Sequence, residues 1–193
     1  AGTSIYITSN AIVPVVSAAR DTYGLYINGL QTGATIWNNA IYYRTPGSQA
    51  GFTTYGLYTQ SVSSLNIVHN RISNPGMVTA GSVIAVRLSS GTLNTSFTFN
   101  DVHSTGTGLT AAYLLQVFAS TAIITGNVFS SSLTATSSAT VWVHANSGWI
   151  SNYNDFFSSN SLNTAVWGTS AQFALGWFGQ DGHSITGNPL WAN

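Results

Sequence analysis

The chain has 193 residues, of which 44% are hydrophobic and only 4% are charged, and its formal net charge is zero. Without a basic stripe it has nothing to neutralise phosphates or an anionic bilayer surface, so nucleic acid and lipid partners are not expected. No apolar run reaches the roughly 18 residues needed to span a bilayer, so membrane insertion is not expected either. It contains no cysteine, which excludes a disulfide framework and thiolate chemistry. A surface of neutral polar side chains gives little repulsion between copies and permits self-association.

From the first residues onward, one short pattern recurs seven times along the chain. It consists of an apolar residue, two variable residues, asparagine, one variable residue and a second apolar residue, and only the copy with Ser151 in the first position departs from it. Repeats of this length predict a solenoid with one unit per coil. The asparagines of the seven units are Asn10, Asn39, Asn70, Asn100, Asn127, Asn154 and Asn188.

A second apolar run lies in most units, and clusters of Gly, Ser, Thr and Asn between the runs mark turns. These runs begin at Tyr23, Tyr55, Val83, Tyr113 and Val141. An antiparallel sandwich also has many short strands, but it does not require one asparagine at a fixed phase of every unit. The sequence therefore predicts an all-β fold, a parallel β-helix solenoid of about seven coils that occupies residues 1–193 as a single domain.

In such a solenoid, equivalent strands pair in parallel about 4.8 Å apart, and equivalent side chains form columns along the axis. The asparagines then form a ladder in which side-chain amides bond to neighbouring coils. The alternative is ordinary turn chemistry without stacking. One predicted inward column contains Ile36, Ile67, Phe97, Ile124 and Ile185, and the other contains Ile12, Ile41, Ile72, Val102, Phe129, Phe156 and Leu190.

The end of the chain carries the most specific stretch, SNYNDFF at 151–157 followed by GQDGHSI at 179–185 and NPLW at 188–191. With the repeats, it resembles the right-handed parallel β-helix family, which contains pectate-lyase-like proteins and large secreted surface proteins of Bacteroidetes-type bacteria. That family more often has Asp where Asn188 stands. The resemblance implies a right-handed coil and an extracellular location, secreted or at the cell surface. It does not imply catalysis, because lyases, hydrolases, adhesins and stalks share the fold.

The few charged residues give no catalytic assignment. Asp101 and Asp155 occupy the same phase two coils apart, roughly 10 Å, slightly beyond the separation of about 6.5–9.5 Å in inverting glycosidases. Arg71 occupies that phase one coil before Asp101, which predicts a surface ion pair worth less than about 1 kcal/mol. The scattered histidines and aspartates predict neither a metal site nor a cofactor.

Two Asp/His pairs, Asp101 with His103 and Asp181 with His183, are spaced two residues apart. On a strand, this spacing puts both side chains on one side, as a base and the group that orients it require. No serine in a nucleophile-elbow context accompanies either pair, so a structural role is favoured for both.

Aromatic residues crowd the final unit, and stacked rings on a β-helix face can hold sugars. Trp167, Trp177 and Trp191 are the sugar-stacking candidates. The favoured alternative is that they plug the end of the core or pack beneath the preceding loop.

Together these features predict a non-catalytic structural or adhesive β-helical module of a secreted or cell-surface protein, with a filament-forming subunit as one form of it. Its expected partners are copies of itself or neighbouring domains of a longer chain. The alternative function is binding or degradation of an extracellular polysaccharide. Clustered Asp and Arg in a cleft, or a row of exposed aromatic rings, would favour the alternative, whereas a uniform Ser/Thr surface would favour the structural role.

Overall fold

The computed structural model describes residues 4–15, 20–29, 33–43, 51–78, 81–118, 121–143, 148–159, 163–167, 170–172 and 180–186. All regular secondary structure in these ranges is β-strand. In chain order the strands are β1 (Ile5–Thr8), β2 (Ala11–Ile12), β3 (Thr22–Asn28), β4 (Ala34–Trp37), β5 (Ala40–Tyr42), β6 (Thr53–Gln60), β7 (Leu65–Val68), β8 (Arg71–Val78), β9 (Ser82–Leu88), β10 (Thr95–Thr98), β11 (Asp101–Val117), β12 (Thr121–Thr125), β13 (Val128–Val143), β14 (Gly148–Asn152), β15 (Asp155–Ser158), β16 (Asn163–Trp167) and β17 (Ser170–Gln172).

The strands stack coil upon coil in parallel. Six of them form one sheet in the order β1-β4-β7-β10-β12-β14, and the others form an eleven-stranded sheet. Equivalent residues of successive coils lie opposite each other, as Ile7 does to Ile36 and Ile36 to Ile67. Only the pairing of β16 with β17 is antiparallel among the described strands. The predicted parallel β-solenoid is therefore confirmed.

Each coil runs through one strand of the six-stranded sheet, a sharp bend at the repeat asparagine, and then strands of the larger sheet. In the earlier coils the larger sheet receives two strands from each coil, such as β8 and β9. In the later coils β11 and β13 run without a break over 17 and 16 residues and pair with each other along this length. The wall of the solenoid is therefore most continuous between residues 101 and 143.

The predicted count of about seven coils is too high, and the predicted inward position of Ile185 is wrong. The smaller sheet contains one strand from each of six coils, and after the last of these strands Ile185 forms only an isolated bridge to Asp155. This register puts Ser184 beside Asn154, in the position predicted for Asn188, and it leaves Ile185 61% exposed. Asn188 and Leu190 lie outside the described residues.

The asparagine ladder is present over six coils. In each step the backbone N–H and the side-chain Nδ2 of one asparagine donate to the Oδ1 of the next, at 2.8–3.1 Å. From Asn39 to Asn154 the residues are buried. Each of these Nδ2 groups also donates to a main-chain carbonyl of the preceding coil. The ladder members are Asn10, Asn39, Asn70, Asn100, Asn127 and Asn154.

The residue before each ladder asparagine makes the bend. All six such residues have a positive φ, between 54° and 67°, although only one of them is glycine. This left-handed conformation costs a non-glycine residue roughly 1–2 kcal/mol. Because their polar neighbours bond to two coils at once, the ladder holds these bends in place. The six residues are Ser9, Asn38, His69, Phe99, Gly126 and Tyr153.

The core is made of the predicted apolar columns. From Ile12 to Phe156 the second column is in register across six coils, as predicted. Its aromatic end is tightly packed, since the ring of Phe129 stacks on that of Phe156 at 5.3 Å between centroids and contacts Phe97 at 6.2 Å. Phe129 and Phe97 are fully buried.

A carboxylate stands at the last position of the ladder. The backbone N–H of Asn154 donates to the Ser184 hydroxyl at 2.8 Å, and its Nδ2 donates to Oδ1 of Asp181 at 3.2 Å. The hydroxyls of Ser151 and Ser184 also donate to this oxygen, at 2.9 and 2.6 Å. Asp181 is almost completely buried. The column of amide donors thus ends on a carboxyl oxygen, whereas the other oxygen of Asp181, Oδ2, is buried without a hydrogen-bond partner among the described residues.

Candidate functional site

One outer strip of the larger sheet carries three of the seven Arg and Asp residues that the structure describes. Arg71, Asp101, Val128 and Asp155 lie opposite one another in successive coils, as predicted. Nε of Arg71 lies 3.6 Å from Oδ2 of Asp101, and the Arg71 side chain is largely exposed. An exposed pair of this kind contributes less than about 1 kcal/mol. The predicted ion pair is therefore confirmed as a surface feature.

Asp101 of this ion pair and His103, two residues further along the strand, both have shifted pKa values. Burial raises the pKa of Asp101, and Arg71 opposes that shift. Burial and the positive charge of Arg71 lower the pKa of His103. Oδ1 of Asp101 and Nδ1 of His103 are buried and have no hydrogen-bond partner among the described residues, so these two atoms do not form a bond between base and orienting group.

The two side chains of the second Asp/His pair, Asp181 and His183, lie in different environments. Asp181 is buried at the end of the ladder, whereas the His183 ring is exposed. That ring stacks on Tyr153 at 5.0 Å, and its Nδ1 lies 3.0 Å from Nδ2 of Asn152. A turn at residues 182 and 183 replaces the expected strand, so the two side chains do not project from the same side.

The part of the chain that the structure describes contains no group of three or more potential metal-ligating His, Cys, Asp or Glu residues. Within the same part, no helix is both long and apolar enough to cross a membrane. Of the predicted sugar-stacking residues, Trp167 is the last residue of β16, and only its backbone is described. Trp177 and Trp191 lie outside the described residues.

A group of aromatic side chains that we call the tyrosine cluster, Tyr23, Tyr26, Tyr55 and Tyr58, lies on the outer side of β3 and β6. Tyr23 stacks on Tyr55 at 5.0 Å with nearly parallel rings, and Tyr26 meets Tyr58 at 5.2 Å. Within each strand the two rings are also in contact, at 5.1 Å. Tyr23 and Tyr26 are exposed, whereas Tyr55 is buried beneath them.

The geometry of the cluster depends on the two residues between the tyrosines. Tyr55 and Tyr58 are three apart, and simple alternation would put them on opposite sides of the strand. Instead, Gly56 and Leu57 both face the core. A Cβ at Gly56 would lie 2.7 Å from Cγ2 of Ile72 and 2.6 Å from the carbonyl oxygen of Ala85, and Leu57 is fully buried. A larger residue than glycine would push the strand away from the next coil.

Arg87 continues the cluster into the third coil. It lies opposite Tyr58 in register, and its Cζ is 5.6 Å from the centroid of the Tyr58 ring and 4.8 Å from that of Phe118. Its Nε is buried without a hydrogen-bond partner among the described residues. The ion pair of Arg71 with Asp101 is the only one found in that part of the chain, so Arg87 has no carboxylate partner there.

The sequence does contain a signal for this surface. The tetrapeptide Tyr-Gly-Leu-Tyr occurs at both 23–26 and 55–58, one coil apart. Their apolar composition alone predicts only two strands. A repeated aromatic pair at equal phase in two coils indicates stacked rings, whichever side of the strand they occupy.

The shifted pKa of His103 predicts how stability depends on pH. Because the folded state binds a proton on His103 less readily than the unfolded state, the free energy of unfolding should fall as the pH is lowered through 6.5. Below the lowered pKa of His103 this dependence should end. Chemical denaturation above and below pH 6.5 measures the effect, and His103→Gln should weaken it. His69→Gln is the control, because the ring of His69 is exposed. An equal pH dependence in His103→Gln and the unmodified protein would contradict this assignment.

No family model, no curated protein and no solved structure matches the chain.

Proposed function

We propose that the chain is a non-catalytic structural or adhesive β-solenoid module of a secreted or cell-surface protein. The observation that carries this proposal is the continuous ladder of buried asparagines, which joins six coils into one hydrogen-bonded column. A column of this kind holds the surface residues of successive coils in fixed rows. The low charge and the resemblance of residues 151–191 to closing segments of exported β-helix proteins support the location.

Association with copies of the same chain, or with neighbouring domains, belongs to this proposal. The near absence of charge leaves little repulsion between molecules. On the outer side of the six-stranded sheet, Ile123 and Ile150 lie opposite each other in adjacent coils, and both are exposed. Together with Trp149 they line a mainly apolar groove of about 440 Å³. Apolar side chains grouped in this way are typical of association surfaces.

Electron microscopy of the purified protein at several concentrations tests this assembly. We expect filaments or stacked particles whose length and number increase with concentration, and we expect Ile123→Ser with Ile150→Ser to reduce them. Thr35→Ser is the control, since it changes a small polar residue of the same outer surface in an earlier coil. Monomers at every concentration would contradict self-association.

The second candidate is an extracellular polysaccharide-binding module. The tyrosine cluster favours this candidate, because flat exposed rings bind the apolar faces of sugars. Degradation of the polysaccharide is less well supported. Oδ1 of Asp101 and Nδ1 of His103 have no hydrogen-bond partner among the described residues, so neither atom orients a catalytic base.

A further inference from the structure

We infer that the tyrosine cluster and Arg87 form a binding site for a glycan that carries an anionic group, a uronate carboxylate or a sulfate. The inference rests on the second candidate function and names the ligand class and the surface. Sugar rings would lie against Tyr23, Tyr26 and Tyr58, and the anionic group would meet the guanidinium of Arg87.

The aromatic part of the site has the shape that a sugar chain requires. Tyr23 and Tyr26 are 37% and 47% exposed, and their rings pack against those of Tyr55 and Tyr58 in the next coil. The negative face of an aromatic ring attracts the weakly positive C–H groups on one face of a pyranose. The ring centroids of Tyr23 and Tyr26 are 5.1 Å apart, close to the length that one sugar residue adds to a chain. Rings held in advance lose little conformational entropy on binding.

Polar groups border the rings. The hydroxyl of Tyr26 lies 3.4 Å from Oε1 of Gln60, and the hydroxyl of Tyr58 lies 3.2 Å from Oγ of Ser89. These side chains supply donors and acceptors at the edge of the apolar surface, where sugar hydroxyls would lie. This combination of an apolar floor and a polar border is typical of small-molecule sites.

Charge indicates that the ligand is anionic. Arg87 is a cation with no carboxylate partner in the described part of a chain that has only four basic residues. Its aromatic neighbours fix the guanidinium plane, and a planar guanidinium suits bidentate binding of a carboxylate or a sulfate. Asp21 lies beside the opposite end of the cluster, where its Oδ1 accepts the backbone N–H of Thr53 at 2.7 Å. The site is thus polar along its length, and the anionic group is expected at the Arg87 end.

The same surface is poorly suited to a protein partner. The two exposed rings, Tyr23 and Tyr26, lie on one strand with centroids 5.1 Å apart, whereas a stable protein interface buries about 800 Å² on each side. A single glycan chain covers a strip of this width.

Titration calorimetry of the whole chain tests the site with three probes: a neutral glucan, a polyuronate and a sulfated glycan. We expect binding of at least one anionic glycan, and we expect Tyr26→Ala to weaken it about tenfold. Arg87→Gln should abolish the preference for the anionic glycan over the neutral one. Tyr6→Ala is the matched control, because Tyr6 is an exposed tyrosine on another sheet, and it should leave binding unchanged. Circular dichroism checks that each variant is folded.

The outcomes separate the site from the function. Binding that is equal in Tyr26→Ala, Arg87→Gln and the unmodified protein would overturn the site, while leaving polysaccharide binding elsewhere on the chain intact. Equal affinity for neutral and anionic glycans would overturn the role of Arg87. No binding of any probe would reject both the site and the second candidate function, whereas the structural role is judged separately from the microscopy.

Discussion

Replacing Asn100 by alanine is expected to lower the free energy of unfolding by about 3–5 kcal/mol. Oδ1 of Asn100 accepts the backbone N–H and the Nδ2 of Asn70, at 2.9 and 3.0 Å. Its Nδ2 donates to the carbonyl oxygens of Ile67 and Thr98 and to Oδ1 of Asn127. Alanine leaves the Asn70 donors buried without an acceptor, and each unsatisfied buried group costs about 1–3 kcal/mol.

Chemical denaturation measures this loss, and two further variants show its cause. Asn66→Ala is the matched control, because Asn66 is an exposed asparagine in the neighbouring strand β7, and it should change stability by less than about 0.5 kcal/mol. Asn100→Asp keeps the shape but turns an acceptor oxygen toward two carbonyl oxygens, so it should cost at least as much as alanine. Equal stability of Asn100→Ala and Asn66→Ala would refute the energetic importance of the ladder.

Replacing Phe129 by alanine should lower the free energy of unfolding by about 3–5 kcal/mol. The Phe129 side chain is fully buried and lies between Val102 and Phe156 in the inner column. Its removal loses the stacking on Phe156 and leaves a cavity that the parallel strands on both sides cannot close without losing register. Thermal and chemical denaturation both measure the effect.

Phe99→Ala is the control for this substitution. Phe99 has the same side chain, but its ring is 59% exposed and stacks only on the His69 ring at 5.4 Å among its described ring contacts. A change of less than about 0.5 kcal/mol is expected. Phe99→Gly should stabilise the protein slightly, since the φ of 54° at this bend is unfavourable for phenylalanine. If Phe99→Ala and Phe129→Ala cost the same, the inner column is not the source of stability.

The ladder and the inner columns were predictable because they depend only on a spacing that stays near 30 residues. Wherever that spacing holds, an asparagine meets the asparagine of the next coil, and the flanking apolar residues follow it in register. In these segments the strand propensity of the residues and the repeat period predict the same strands in the same register.

The last coil was not predictable by the same rule. Between Asn154 and Asn188 the spacing is longer, and the pattern alone aligns these two residues. The structure instead brings Ser184 to Asn154, because the Asp181 carboxylate accepts hydrogen bonds from Ser151, Asn154 and Ser184 at once. The repeat pattern contains only asparagine at the ladder position, so it does not predict that Asp181 and Ser184 take over as acceptors.

The tyrosine cluster was missed for a geometric reason. Strand alternation puts Tyr23 and Tyr26 on opposite sides, and only the close approach of the glycine to the next coil turns both rings outward. The sequence likewise predicts Arg87 only as part of the apolar strand that begins at Val83. Its position beside Tyr58 follows from the coil register, which the motif pattern does not specify for the strands of the larger sheet.

The direction of the ladder has a consequence for how the chain acquires its structure. In every step the donors belong to the earlier coil and the accepting oxygen to the later one. During synthesis, each finished coil therefore presents two unfilled N–H groups as a template that the next coil completes on arrival. We therefore expect the fold to grow in the order of translation, coil by coil, with contacts only about 30 residues apart in sequence. At the Asn154 coil, the hydroxyl of Ser184 and the carboxyl group of Asp181 take the place of the next asparagine as acceptors.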